Sequence, residues 1–152
     1  MKIFGDDGFR DVVFRGLMNK AFLNNFFNSL NYFLHKKKIS RIYIGYDTRK
    51  SYKDILDIIK QNIKVAKEIR IFNKPVTTPY SHFISMKKKA FVIMITASHF
   101  KYKYNGFKFF LSGEKLSKLD EKLIVKKLNQ KKKFYNSKKV KISKIFYNDY
   151  ET

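Results

Sequence analysis

The sequence predicts a three-layer α/β/α domain built on a mixed, mostly parallel sheet of about four main strands. The strongest observation is the apolar run at residues 90–95, because six such residues without alternation indicate a strand buried on both faces. Helix-like and strand-like segments also alternate along the chain. Finally, 152 residues with 44% hydrophobic content suit one domain with a single core.

The predicted strands are short, and turns or polar loops bound them. Ile42 and Ile44 share one face of the second strand, as expected for a period of two. The Asn105-Gly106 pair predicts a turn that leads into the last strand. The full set of predicted strands is residues 2–4, 41–46, 68–72, 90–95 and 107–111.

Four helices are predicted from apolar residues that recur every three or four positions. Residues 19–35 carry the widest stripe, which includes Phe22 and Phe26. This helical spacing favours packing against the sheet over a platform for stacking bases. Pro79 suits the first position of the third helix. Candidate N-cap residues mark the starts of the second, third and fourth helices: Ser51, Thr78 and Ser117.

The formal net charge of +22 suits a partner that carries negative charge, such as nucleic acid or another polyanion. The basic residues are scattered, however, and their runs at 36–38, 87–89 and 131–133 fall at predicted helix ends, where cations interact favourably with the helix dipole. We therefore interpret them as a solvated surface, and we expect only weak, non-specific nucleic-acid binding.

The cellular setting is predicted from what the sequence lacks. It contains no cysteine, which excludes disulfides and thiolate metal sites and fits a reducing cytoplasm. Residues 1–10 do not have the pattern of a secretory signal. No apolar segment approaches the roughly 20 residues that a membrane span needs, so we expect no membrane partner.

Polar residues directly follow the apolar run at 90–95. Open α/β sheets bind ligands beyond the carboxyl ends of their strands, so this loop is a candidate site. Ser98 is placed there as a candidate nucleophile, with His99 beside it and Lys108 returning nearby. A Ser-His pair by itself is weak evidence for catalysis.

Three motifs stand in order along the chain. They are Phe4-Gly5-Asp6-Asp7-Gly8-Phe9-Arg10, then Gly45-Tyr46-Asp47-Thr48-Arg49-Lys50-Ser51, and then Thr96-Ala97-Ser98-His99 followed by Tyr104-Asn105-Gly106-Phe107-Lys108. Together these motifs resemble the α-D-phosphohexomutases, the family of phosphoglucomutases, phosphomannomutases and phosphoglucosamine mutases. The resemblance covers nearly the whole chain and the first domain of that family, and its pattern is closest to phosphoglucosamine mutase.

The resemblance implies an isomerase that exchanges the 1- and 6-phosphates of a hexose or hexosamine phosphate through a phosphoserine, in carbohydrate or cell-wall precursor metabolism. It assigns the phosphoserine to Ser98, which would also bind Mg²⁺ through its phosphate. It makes His99 and Lys108 catalytic partners. The residues that it implies for substrate or phosphate binding are Arg10, Arg49 and Asn105. At positions 100 and 101, where the family has Asn-Pro, this sequence has Phe-Lys.

We predict that residues 1–130 form the first phosphohexomutase domain and that residues 131–152 form a basic connector. The aspartates that bind Mg²⁺ in the family, of the form Asp-x-Asp-x-Asp-Arg, have no counterpart in this sequence. We therefore expect the later family domains to be absent and this chain alone to be inactive. Two alternatives remain: a non-catalytic partner that completes a split mutase with a separate chain, and a basic module that binds nucleic acid or another polyanion.

Overall fold

A computed structural model describes residues 2–6, 8–134 and 139–146. Asp7, in the first motif, and residues 135–138 and 147–152, in the predicted connector, lie outside the described residues. The elements in chain order are β1 (Phe9–Val12), α1 (Lys20–Lys36), β2 (Arg41–Tyr46), α2 (Tyr52–Asn62), β3 (Glu68–Phe72), α3 (Thr78–Lys88), β4 (Phe91–Ile95), β5 (Tyr104–Leu111), β6 (Glu114–Lys115), α4 (Lys118–Asn129) and β7 (Lys141–Ile145). A short 3₁₀ turn, Gly16–Met18, precedes α1.

The sheet is mixed and has the order β1-β5-β4-β2-β3-β7, with β6 paired to β5. Strands β4, β2, β3 and β7 run parallel, whereas β1, β5 and β6 pair antiparallel. Buried residues of α1, α2 and α4 join one core, and Ile84 of α3 joins the core on the opposite face. The predicted α/β/α class is therefore confirmed, and the described residues form seven strands, more than the predicted four or so.

Aromatic side chains make up much of the larger core. Phe26 and Phe27 of α1 are fully buried, as their helical spacing predicted. The ring of Phe9 in β1 lies 5.0 Å from that of Phe26 and 5.3 Å from that of Phe107 in β5. This packing fixes the amino-terminal segment, because Phe9 is part of the first motif.

Two local predictions were wrong. Residues 2–4 form no strand, and the first strand is instead Phe9–Val12, which pairs with β5. Asn105 and Gly106 do not form a turn but lie inside β5. A Cβ at position 106 would come 2.2 Å from the Phe9 backbone oxygen, so the glycine lets β1 approach closely. The tight turn comes later, at Ser112 and Gly113, which have φ of 51° and 88°.

The helix starts agree with the predictions to within a residue. The Ser117 hydroxyl accepts a hydrogen bond from the Asp120 N–H and caps α4. In α3 the cap is Thr77 instead of Thr78, and its hydroxyl accepts from the Tyr80 N–H. Ser51 lies at the N-cap of α2 but makes no side-chain capping bond.

Within the predicted connector, Lys141–Ile145 forms β7, the strand next to β3. The domain boundary at residue 130 stays a prediction. None of the helices within the described ranges is both long and apolar enough to cross a membrane.

Candidate active site

The loop of residues 96–103 joins β4 to β5 at the carboxyl edge of the parallel strands. Ser98 is exposed and has φ of 56°, a left-handed conformation that non-glycine residues adopt only at a cost. Its N–H donates to the Thr96 hydroxyl at 2.9 Å. Within the described ranges, no hydrogen bond engages the Ser98 hydroxyl. The hydroxyl is thus presented to solvent by a fixed backbone.

Arg49 holds this loop from below. Its side chain is only 5% exposed. One terminal nitrogen donates to the backbone oxygens of Lys101 and Tyr104, at 2.6 and 3.1 Å. The other donates to the oxygens of Ser98 and Phe100, at 2.9 and 2.6 Å. We call these four contacts the Arg49 clamp.

Asp47 connects the second motif to the third. In the sheet, Tyr46 of β2 lies opposite Ile95 of β4, so the next residues of both strands are neighbours. The Asp47 carboxylate accepts a 2.7 Å hydrogen bond from the Thr96 hydroxyl and a 3.2 Å bond from Arg49 Nε. Asp47 therefore pairs with Arg49 and, through Thr96, holds the start of the loop.

Asn105 lies beneath the loop and is fully buried. Its side-chain amide donates to the Ser51 hydroxyl at 2.8 Å, and its amide oxygen accepts from the Gly106 N–H at 2.9 Å. The bond to Asn105 joins Ser51, at the start of α2, to the beginning of β5, just after the Ser98 loop. The Asn105 side chain does not reach the surface.

Tyr46, the buried last residue of β2, helps to hold the carboxyl edge of the parallel strands in place. Its hydroxyl donates to the Phe72 backbone oxygen at 2.9 Å, and its ring stacks on Tyr52 at 4.0 Å. Burial raises the pKa of Tyr46, and the neighbouring Tyr52 adds to the shift. The neutral hydroxyl is therefore maintained as a hydrogen-bond donor.

Two adjoining cavities meet at Lys108. A cavity of about 640 Å³ is lined by Ser98, Thr96, Lys108 and the loop at 74–79. A second cavity, of about 400 Å³, is lined by Arg10, Asp6 and, again, Thr96 and Lys108. The structure therefore groups Ser98, Lys108 and Arg10 around one surface, whereas Asn105 lies below it. His99 is exposed beside Ser98, and its ring stacks on that of Phe100 at 5.3 Å.

The sequence is matched by the family described as phosphoglucomutase/phosphomannomutase, alpha/beta/alpha domain I, over residues 1–135. The chain belongs to this family. Among curated proteins, it is 32% identical over 142 residues to the phosphoglucosamine mutase of Helicobacter pylori (strain Shi470). The aligned residues make up 92% of this chain and 32% of that protein. This chain is 30% identical over 132 residues to the phosphoglucosamine mutase of Buchnera aphidicola subsp. Baizongia pistaciae, covering 86% and 29%. The chain thus spans about a third of these relatives.

Solved structures share the fold. A phosphoglucomutase/phosphomannomutase family protein from Burkholderia thailandensis superposes with a TM-score of 0.72 at 17% identity, over 95% of this chain and 32% of that one. The Paramecium phosphoprotein parafusin, a phosphoglucomutase, in its open form, gives 0.70 at 21% identity, over 83% and 25%. The mutase family resemblance read from the three motifs is therefore confirmed, and so is the domain I fold.

Two features of this family member could not be read from its motifs. The Arg49 clamp joins residues about fifty positions apart, and only the Asp-x-Arg spacing hinted at the local pair with Asp47. The second feature is that Phe100, where the family has asparagine, contacts Arg10: the Arg10 Cζ lies 4.1 Å from the ring centroid. An aromatic residue beside a candidate nucleophile gives no sequence signal of its own.

Proposed function

We propose that this chain is the phosphoserine domain of a hexose- or hexosamine-phosphate mutase and that Ser98 exchanges a phosphoryl group with the sugar. The observation that carries the proposal is the exposed, unbonded Ser98 hydroxyl on a loop whose backbone is fixed by the Arg49 clamp. A fixed nucleophile beside a cationic cavity suits phosphoryl transfer, in which positioning and charge stabilisation do most of the work. The phosphoglucosamine mutase relatives favour a hexosamine phosphate as substrate.

In the proposed step, the Ser98 oxygen bonds to the phosphorus of a sugar bisphosphate while the bond from phosphorus to the sugar oxygen breaks. The serine proton passes to the released sugar oxygen, and exposed His99 is a candidate carrier for it. Lys108 lines the cavity with Ser98 and supplies positive charge to the phosphate. In a step of the reverse kind, phosphoserine gives its phosphoryl group to the free hydroxyl of a sugar monophosphate, whose proton passes back to the serine oxygen. Taking the group from one position of the sugar and giving it to the other position of an incoming monophosphate exchanges the 1- and 6-phosphates.

Arg10 remains a candidate phosphate ligand, because it lines the adjoining cavity. We assign Arg49 and Asn105 to holding the loop instead of binding substrate, since the donors of both side chains are engaged inside the protein. Both residues would then act through Ser98 without touching the sugar.

The resemblance also implies Mg²⁺ bound through phosphorylated Ser98. Within the described ranges, no group of three or more His, Cys, Asp or Glu residues could hold a metal ion. The Asp47 carboxylate is occupied by Thr96 and Arg49. The described residues therefore do not form a metal site by themselves.

Since the chain spans about a third of its curated relatives, we propose that the complete exchange needs the parts that those relatives carry beyond the matched region. A separate chain could supply them, and we expect this chain alone not to interconvert hexose 1- and 6-phosphates. We also propose a cytoplasmic setting, where sugar phosphates are metabolised.

The test is to incubate the chain with glucosamine 1,6-bisphosphate or glucose 1,6-bisphosphate and Mg²⁺ and to locate phosphate by mass spectrometry. We expect one phosphoryl group, on Ser98, that is absent in Ser98→Ala. Ser112→Ala is the matched control, because Ser112 is also exposed with a positive φ but lies in the β5–β6 turn. No transfer, or equal labelling of other serines, would refute the proposal.

A further inference from the structure

Phe100 sits where the Ser98 loop meets the amino-terminal strand. It is 37% exposed. The guanidinium carbon of Arg10, in β1, lies over its ring at 4.1 Å from the centroid. This is well inside the roughly 6 Å limit for an attractive cation–π contact.

The Phe100 ring is itself held in place. Its N–H donates to the Ala97 oxygen at 3.1 Å, and its oxygen accepts a 2.6 Å bond from Arg49 as part of the clamp. The ring also contacts those of His99 and Tyr104, at 5.3 and 5.4 Å. Because backbone and ring are both fixed, Phe100 offers Arg10 a rigid surface.

Arg10 reaches this ring across Gly106, its partner in the β1–β5 register. A Cβ at position 106 would come 2.6 Å from the Arg10 Cβ, so the glycine leaves room for the arginine side chain. Arg10 is exposed, and in the part of the chain that the structure describes its side chain makes no hydrogen bond or ion pair. Its N–H groups remain available to a ligand.

We propose that Phe100 is a positioning residue that holds Arg10 beside Ser98 as a ligand for phosphate. A guanidinium stacked by its face on a ring keeps its in-plane N–H groups open, and these are the groups that bind phosphate in pairs. Arg10 and Lys108 line the same cavity, and Lys108 also lines the cavity of Ser98. The phosphate-binding role of Arg10 rests on the proposed function; the contribution of Phe100 is new.

The experiment titrates inorganic phosphate against the chain and follows the Arg10 Nε–H signal by NMR, assigned by its loss in Arg10→Lys. Phe100→Leu keeps apolar bulk but removes the ring, and we expect it to weaken phosphate binding about two- to fivefold, the fold-change that corresponds to an exposed cation–π contact. Phe100→Tyr should retain wild-type affinity. Tyr102→Leu is the matched control, because it removes another aromatic ring of the same loop, one that is 73% exposed. It should leave the affinity for phosphate unchanged.

Wild-type affinity in Phe100→Leu, or no response of the Arg10 signal to phosphate, would overturn the proposal. So would equal weakening in Tyr102→Leu, because the effect would then be a general one of the loop. The titration does not require Ser98 to react and can be repeated in Ser98→Ala. If Ser98 never accepts phosphate but Phe100→Leu still weakens binding, only the phosphoserine mechanism fails.

Discussion

Replacing Arg49 tests how the Ser98 loop is held. Arg49→Ala removes five hydrogen bonds: three to loop carbonyls, one to the carbonyl of Tyr104 at the start of β5, and one to Asp47. Their energies do not add, because carbonyls of an exposed loop can bind water after the truncation, but removing one partner of a buried charged pair costs about 3–5 kcal/mol. We expect the free energy of unfolding to fall by about 3 kcal/mol. For a chain of this size, Tm should fall by roughly 6–12 °C.

Urea unfolding and thermal melts measure this loss. Arg49→Lys keeps the charge but not the planar guanidinium, so its free energy of unfolding should lie between those of wild type and Arg49→Ala. Arg41→Ala is the matched control, because the Arg41 side chain is 51% exposed and its pair with Glu68 should contribute under about 1 kcal/mol. The reasoning fails if Arg49→Ala costs no more than Arg41→Ala, or if amide signals of the loop keep their wild-type positions.

Four further predictions concern backbone, pH and charge. Gly106→Ala places a Cβ 2.2 Å from the Phe9 oxygen and should destabilise by about 1–3 kcal/mol, with faster hydrogen exchange in β1. Ser98→Gly should be about 1 kcal/mol more stable than Ser98→Ala in urea, because glycine adopts positive φ without cost; equal values would mean no strain. The hydrogen bond from Arg70 holds the pKa of Glu68 below its usual 4.5. The contribution of ionised Glu68 to the free energy of unfolding is therefore present above that pH and is lost as pH falls through the lowered pKa. Glu68→Gln should flatten the acid limb of the plot of stability against pH. Binding to duplex DNA should be weak and fall steeply with salt, and submicromolar, sequence-selective binding at physiological salt would contradict the surface interpretation.

Much of the fold could be predicted because the sequence pattern and the burial agree. The apolar run at 90–95 became β4, whose five residues are all buried. The error at Asn105-Gly106 occurred where the usual preference of the residues was overridden by a partner strand. Asn-Gly usually marks a turn, but here Gly106 is needed for the approach of β1, which is distant in sequence. A single sequence carries no signal for such a contact.

The candidate site likewise has features that the sequence predicted and features that it did not. The position of Ser98 followed from a rule about strand ends, and the structure has it in the loop after β4. The role of Arg49 in holding the loop could not be predicted from the sequence, because a loop arginine gives no indication that it will be buried against carbonyls of another loop. The motif resemblance suggested a phosphate ligand, whereas the hydrogen bonds of Arg49 are directed into the protein.

The clamp and the strain at Ser98 belong to one arrangement. A buried guanidinium is tolerated only if its donors are satisfied, and this requires the loop carbonyls to converge on Arg49. The left-handed turn at Ser98 is part of that convergence, so the hydrogen bonds offset its cost. The Ser98 hydroxyl takes no part in this network within the described ranges, and its phosphorylation would break no hydrogen bond there. In the proposed mechanism, the added negative charge would lie at a cavity that Lys108 also lines, on a strongly basic chain, and the loop would not have to rearrange to accept it.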